Sequence, residues 1–242
     1  MRILPLIIRK LRNRYRAYIK ATSSEYIEQL RLGGVKVGKG TVVFDTDKVE
    51  IDVGRPELLE IGNNVFIHRD CVILTHDWTG WCFVNSDKEF YPSHAKVKIG
   101  DNVWLGERVM VLKGVTIGNN CIIGAGAIVT KNIPDNSIAV GVPARVICSY
   151  DKYKKKRSEK HVEESLEYAS CIIKSGRDPK KEDFYDDYPS FVDNTNYKEY
   201  NYPYNKVFND SDFKEFLSKH KKKFESFEKF IEAARNMEDS KS

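Results

Sequence analysis

The chain has 242 residues, 41% hydrophobic and 31% charged, with a formal net charge of +5. That length suits one sizeable core with an appendage, and that composition excludes a wholly disordered chain. The charge is local, since residues 1–36 carry +7 and the other 206 sum to −2, which excludes a general nucleic-acid-binding role.

Residues 1–34 read as a basic amphipathic helical segment. Ile3, Leu4, Ile7, Ile8, Leu11, Tyr15, Tyr18 and Ile19 recur at roughly helical spacing among Arg9, Lys10, Arg12, Arg14 and Arg16. The same basic residues interrupt any secretion signal, and no cleavage pattern follows. The expected role is a solvated helix packing one face on the body. The alternative is peripheral contact of residues 1–20 with the anionic inner face of a membrane. No apolar run reaches the roughly 18 residues that a spanning helix needs.

From about residue 35 the sequence repeats every six residues. Ile61, Ile67 and Ile73 each start a block, and Ile99, Leu105, Val111, Ile117, Ile123 and Val129 are six starts in unbroken register. Counting backward by sixes from Ile61 gives Arg55, Val49, Val43 and Val37, of which Arg55 breaks the pattern. The fifth place is small or branched, as at Val65, Cys71, Val103, Val109, Val115, Cys121, Ala127 and Ile133. A six-residue period fits neither an α-helix nor an alternating strand. It fits a solenoid of short strands and corners, with the branched residues stacked inside. The Gly positions and the pairs 63–64, 101–102 and 119–120 are expected at corners with tight or left-handed dihedrals.

The register breaks once, between Ile73 and Ile99, so residues 75–98 are expected to leave the coil as an inserted loop. Residues 151–242 form a helical C-terminal extension. It contains a charged helix over 151–175, an extended strap over 176–210 rich in Pro, Tyr and Asp, and a helix starting near Ser211-Asp212. Phe213, Phe216, Leu217, Phe224, Phe227 and Ile231 make a docking stripe. The five cysteines contain no C-x-x-C pair, which argues for a reducing cytoplasm and against disulfides or a thiolate zinc site.

The run IGDNVWLGERVMVLKGVTIGNNCIIGAGAIVTKNIPDNSIAVGVPARVI, residues 99–147, resembles the hexapeptide-repeat acyltransferases, including maltose and galactoside O-acetyltransferases. The stretch VILTHDW, residues 72–78, resembles the entrance to their catalytic loop. Its His-Asp and Trp character and the trailing helices are closer to capsule or lipopolysaccharide O-acetyltransferases. The similarity covers roughly residues 35–150. It implies a mainly β fold, a left-handed parallel β-helix, here with an N-terminal helix and a C-terminal helical extension. It also implies a homotrimer with acetyl-CoA as acyl donor, lying between neighbouring shafts, and no metal.

Acetyl transfer to a hydroxyl needs a base, a pocket that holds the thioester beside the acceptor, and donors for the developing oxyanion. His76 matches the family's catalytic His and is the expected general base. His94, near the loop's return, is its rival. His161 and His220 read as solvated and His68 as a corner residue. The resemblance implies that Trp104 packs beside the His and the thioester arm and that the Glu107 backbone meets that arm. It also implies that Ala125, Thr130 and Lys131 line the pantetheine and nucleotide, and that Arg145 meets the CoA phosphates, where a guanidinium is well suited. The Asn-rich stretch of the small-sugar enzymes has no match in VVFDTDKVEIDVG, residues 42–54. Acceptor contacts are expected instead from Asp77, Trp78, Trp81 and His94, and Asp77 could alternatively orient the loop. The expected activity is O-acetylation of a sugar hydroxyl of a surface glycan or its precursor. N-acetylation of an amino sugar, a zinc carbonic anhydrase and a non-enzymatic β-helical scaffold are the competing readings.

Overall fold

The six-residue blocks become short strands that pair in parallel across coils. The computed structural model describes residues 22–184, 186–197 and 210–239, and the chain divides after Tyr153 into two compact units. In the first unit, one sheet contains β1 (Lys36–Val37), β4 (Leu59–Ile61), β9 (Val97–Ile99) and β12 (Thr116–Ile117). A second contains β2 (Val42–Val43), β5 (Phe66–Ile67), β10 (Val103–Leu105), β13 (Cys121–Ile123) and β15 (Ser137–Val140), with antiparallel β16 (Arg145–Ser149) at its edge. A third contains β3 (Glu50–Ile51), β6 (Val72–Ile73), β11 (Met110–Val111) and β14 (Ile128–Val129). The chain visits the sheets in rotation, so each full coil is three short sides.

Leu105 opposes Ile123, 18 residues on, and Ile67 opposes Leu105, 38 residues on. Twenty residues therefore leave the coil between β6 and β9. They hold β7 (His76–Asp77), α2 (Gly80–Asp87) and β8 (Ser93–His94), with β7 and β8 antiparallel.

The interior follows the sequence pattern. Ile61, Ile67, Ile73, Ile99, Leu105, Val111, Ile117, Ile123 and Val129 are all buried, as are the fifth-place residues from Val65 to Ile133. Each such apolar side chain removed from water contributes roughly 1.5–3 kcal/mol, before the entropy of ordering is counted.

The corners differ from expectation in an informative way. The left-handed conformation falls on Asn64, Asn102 and Asn120, with φ of 53°, 54° and 53°, and not on the neighbouring glycines. Asn tolerates that region better than other residues with a side chain. Gly62 is needed because a Cβ there would stand 2.5 Å from the Gly100 carbonyl oxygen of the next coil. Side chains also bind coil to coil. The Asn63 N–H donates to Asp101 Oδ1 at 2.7 Å, the Asp101 N–H to Asn119 Oδ1 at 2.8 Å and the Asn119 N–H to Asp135 Oδ1 at 2.7 Å.

The early coils slip from strict sixes. A 3-10 turn at Thr46–Lys48 intervenes, and Ile51, not Val49, opposes Ile73. Residues 22–32 form α1, whose Ile27 and Leu30 are buried in the same core. Arg31 donates to the carbonyls of Val37 and Gly38 at 3.0 and 2.8 Å, tying α1 to the first coil. Residues 1–20, to which the alternative membrane contact is assigned, lie outside the described residues.

The second unit is helical. Its elements include most of α3 (Tyr150–Lys174), then α4 (Asp210–Lys219) and α5 (Phe227–Asp239). The described part of the 176–210 segment is not the expected extended strap. It turns through 3-10 helices at Lys181–Phe184 and Tyr188–Ser190 and buries Phe184, Tyr188, Phe191 and Val192. The aromatic stripe packs inward on them, with Phe227, Phe230 and Ile231 buried. His220, expected to be solvated, stacks on Phe216 at 4.8 Å and donates from Nε2 to the Pro189 carbonyl at 2.7 Å.

Candidate active site

The chain leaves the coil at Thr75, where the third sheet should turn toward the first. Thr75 is fully buried, and its carbonyl accepts the Ala95 N–H at 2.9 Å, which pins the exit to the return. The next residue, His76, is about a quarter exposed, and its Nδ1 lies 2.5 Å from Asp52 Oδ2. The same oxygen accepts the Thr75 N–H at 3.0 Å and its hydroxyl at 2.5 Å, while Oδ1 accepts the Gly54 N–H at 3.0 Å. Burial opposes the charged form of Asp52. The hydrogen bonds from the Thr75 and His76 side chains and from the Thr75 and Gly54 backbones outweigh it and bring the carboxyl down from 3.8 to about 2.

An ionised Asp52 accepts from Nδ1–H, which leaves the lone pair of the neutral imidazole on Nε2. That is the protonation pattern of a general base held by a carboxylate. Sequence reasoning missed Asp52. Its signal is VEID, an acid one residue past the ladder residue Ile51, hidden by the two-residue slip in register.

Asp77 faces the other way on β7. It accepts from Thr79 Oγ1 at 2.6 Å, the Thr79 N–H at 3.1 Å and Ser93 Oγ at 3.1 Å, and it pairs with the Lys113 ammonium. Lys113 beside it, with Thr79, holds this carboxyl well below the usual carboxylate range. These bonds fit the alternative expectation that Asp77 orients the loop, and its side chain stays about a third exposed. Trp78 meets the His76 ring edge-on at 6.1 Å and is 67% exposed, and Trp81 on α2 is 63% exposed. His94 is exposed and opposes His76 in the β7–β8 ladder.

The expected donor-binding residues fall into two groups. Thr130 and Lys131 are exposed at the turn after β14, the same turn type that carries His76 after β6. Glu107 and Ala125 stand at the turns between the second and third sheets, where the Gly126 N–H donates to the Glu107 carbonyl at 2.7 Å. Trp104 does not pack beside His76 within one chain. It projects from the second sheet and stacks on Phe66 at 4.3 Å, with His68 at 6.1 Å. Glu107 is engaged by Arg69, with Nε at 3.1 Å and Nη2 at 3.0 Å, and lies 3.5 Å from His68 Nδ1. His68, whose Nδ1 accepts the Arg69 N–H at 3.0 Å, thus stands among rings and beside the Arg69–Glu107 ion pair on the second sheet and is more than a corner residue. Arg145 is exposed on β16 and donates to the Ala144 carbonyl at 3.0 Å. Among the described residues, no three His, Cys, Asp or Glu side chains stand together as a metal site. No helix there is long and apolar enough to cross a membrane.

The six-residue coil defines a class of hexapeptide-repeat proteins, to which the sequence comparisons also point. Residues 96–131 match the family described as bacterial transferase hexapeptide (six repeats). The chain is 61% identical over 87 residues to the galactoside O-acetyltransferase of Escherichia coli strain K12, across 36% of this chain and 42% of that protein. It is 39% identical over 129 residues to Protein CapG of Staphylococcus aureus, across 53% of this chain and 74% of that protein. A solved maltose O-acetyltransferase from Clostridium difficile 630 shares 30% identity over 60% of this chain and 88% of its own, with a TM-score of 0.42. The chain belongs to the hexapeptide-repeat acyltransferase family. It spans under half the length of the galactoside O-acetyltransferase.

Proposed function

We propose that the protein is an acetyl-CoA-dependent O-acetyltransferase acting on a sugar hydroxyl of a capsule or lipopolysaccharide glycan or its precursor, in the cytoplasm. The observation that carries this reading is the 2.5 Å pairing of His76 Nδ1 with Asp52 at the mouth of the insertion. Nε2 of His76 takes the hydroxyl proton as the alkoxide attacks the acetyl carbon. The tetrahedral intermediate then collapses, and CoA leaves as the thiol once protonated by the imidazolium. Asp52 fixes the tautomer and stabilises the imidazolium that forms. Trp78 and Trp81 supply exposed aromatic faces on which a sugar ring can stack.

The donor site calls for more than one copy of the chain. The two groups of expected donor-binding residues lie at opposite edges of the third sheet. Outward positions of that sheet carry the exposed Glu50 and then Val72, Met110 and Ile128, each half-buried, whereas those of the first sheet carry Lys36, Glu60, Lys98 and Thr116. The outward side of the second sheet, with Val42, Phe66, Trp104 and Ile122, is apolar as well. Apolar outer strips want a partner. Three copies packed about an axis along the third sheet would bring the His76, Thr130 and Lys131 edge of one against the Glu107 and Ala125 edge, with Trp104, of the next. The reading therefore takes a homotrimer and, as the family resemblance implies, a left-handed coil. Arg145 is assigned to the CoA phosphates.

The test is a thiol-release screen with acetyl-CoA against nucleotide sugars, oligosaccharides and purified polysaccharides. Release with a sugar acceptor, and an acetyl product cleaved by hydroxylamine, is the expected result. An uncleaved product marks an amide instead, and no release with any acceptor overturns the reading.

A further inference from the structure

Lys113 carries no role in the acyl transfer proposed above, yet it reaches into the root of the insertion. It stands two residues past Val111, which opposes Ile73, so in the coil register it lies next to Thr75, where the chain departs. Its ammonium bonds Asp77 on β7 and Ser93 on β8, one group on each arm of the hairpin. Gly114 follows with φ +80°, and a Cβ there would stand 3.4 Å from Ala95, at the point where the loop returns.

We propose that Lys113 is a positioning residue for His76, acting through Asp77 and Ser93; this rests on the acetyl-transfer reading of the same site. β7 and β8 are only two residues each, and a two-stranded hairpin of that size does not hold itself in water. Successive side chains on a strand point to opposite faces. On β7 the His76 imidazole is held by Asp52, from the coil before the insertion, and the Asp77 carboxylate by Lys113, from the coil after it. The strand is thus pinned from both neighbouring coils, and the rigidity of the shaft passes to the imidazole. Side chains that act on a reacting centre lose efficiency when their support loosens by an ångström or less.

The charged and titratable groups around His76 are Asp52 from the end of β3 and His94 across the ladder, with Asp77 and Lys113 on the opposite face of the strand. In Lys113→Ala the Asp77 carboxylate loses its counter-charge one residue from the imidazole. Negative charge favours imidazolium, so the base sheds its proton at higher pH. The experiment compares wild type, Lys113→Ala, Lys113→Arg and Lys113→Ala/Asp77→Asn by steady-state kinetics against pH and by amide hydrogen exchange. In Lys113→Ala, kcat falls about tenfold with acetyl-CoA affinity unchanged, and the acid limb of the rate profile moves up by about half a pH unit. Lys113→Arg recovers most of the rate, and the double variant returns the acid limb to its wild-type position. Amides of residues 76–94 exchange faster in Lys113→Ala while those of β9–β13 do not. A lowered rate with an unmoved acid limb and no rescue by Arg reduces Lys113 to a structural part and overturns the proposal. Unchanged rate and unchanged hairpin exchange overturn it as well. If wild type itself transfers no acetyl group, the functional reading fails, and the exchange data still decide whether Lys113 holds the hairpin.

Discussion

The coiled unit and the C-terminal unit bury their cores by different rules. In the coil, each buried residue is one rung of a ladder, and Ile99, Ile117 and Ile133 follow one another at the same place in successive turns. Each coil touches only its neighbours, so stability is spread along the axis. The C-terminal unit instead gathers four rings from separate segments. Phe184 and Phe191 each meet both Phe227 and Phe230, with centroids 5.1–5.6 Å apart. That core has no repeat, and its stability is concentrated in a few side chains. The comparison also explains where the candidate catalytic group sits. A regular shaft can release twenty residues as a working loop and resume in register, whereas the aromatic core offers no equivalent break.

This contrast can be broken by mutation. Phe230→Ala should cost the C-terminal unit about 3–5 kcal/mol. Denaturant unfolding followed at aromatic and β-structure signals should then show an early helical transition with the coil's midpoint retained. Ile117→Ala should cost about 2–5 kcal/mol and shift the β transition instead. If either variant moves both transitions equally, the two units unfold as one and the contrast is lost.

Asp52→Asn should lower kcat by about tenfold or more, because the amide cannot stabilise the imidazolium, while acetyl-CoA affinity by calorimetry stays near wild type. It also carries a pH signature. The Asp52 carboxyl is depressed from 3.8 to about 2 in the folded protein. Its stabilisation is therefore present above pH 4 and is lost as the pH falls from about 4 through 2. Thermal melts across that window should show wild type losing more stability than Asp52→Asn, and parallel curves would contradict the assignment.

The smallest expected effect is at a corner. Asn120 holds φ 53°, donates from Nδ2 to Asn136 Oδ1 at 2.9 Å and accepts from Asn102 Nδ2 at the same distance. Asn120→Ala should cost about 1–2 kcal/mol in chemical denaturation. Asn120→Gly should recover the backbone share, and equal losses in the two variants would show that conformation is not what the corner selects.

The shaft was legible because an inward side chain must be apolar and branched at the same place in every block. Ile99 through Val129 advertise this without a gap. Asp52 was not legible, because the 3-10 turn at Thr46–Lys48 moves the ladder residue from Val49 to Ile51, and counting by sixes passes over it. Lys113 was hidden for another reason. It looks like an ordinary corner lysine until the hairpin above it is placed. The described part of the 176–210 segment reads as an extended strap from its Pro, Tyr and Asp content, because the burial of Phe184 and Phe191 arises only from long-range packing. Trp104 shows the converse. Its resemblance to a catalytic neighbour is clear in the sequence, but one chain alone stacks it on Phe66.

The central claim is that the imidazole beside Asp52 removes the acceptor's proton. It is tested most directly by the acetyl-transfer rate of His76→Ala measured alongside its affinity for acetyl-CoA. The account predicts a loss of roughly 100-fold or more in kcat with donor affinity within about twofold of wild type. Near-normal turnover in that variant would contradict it.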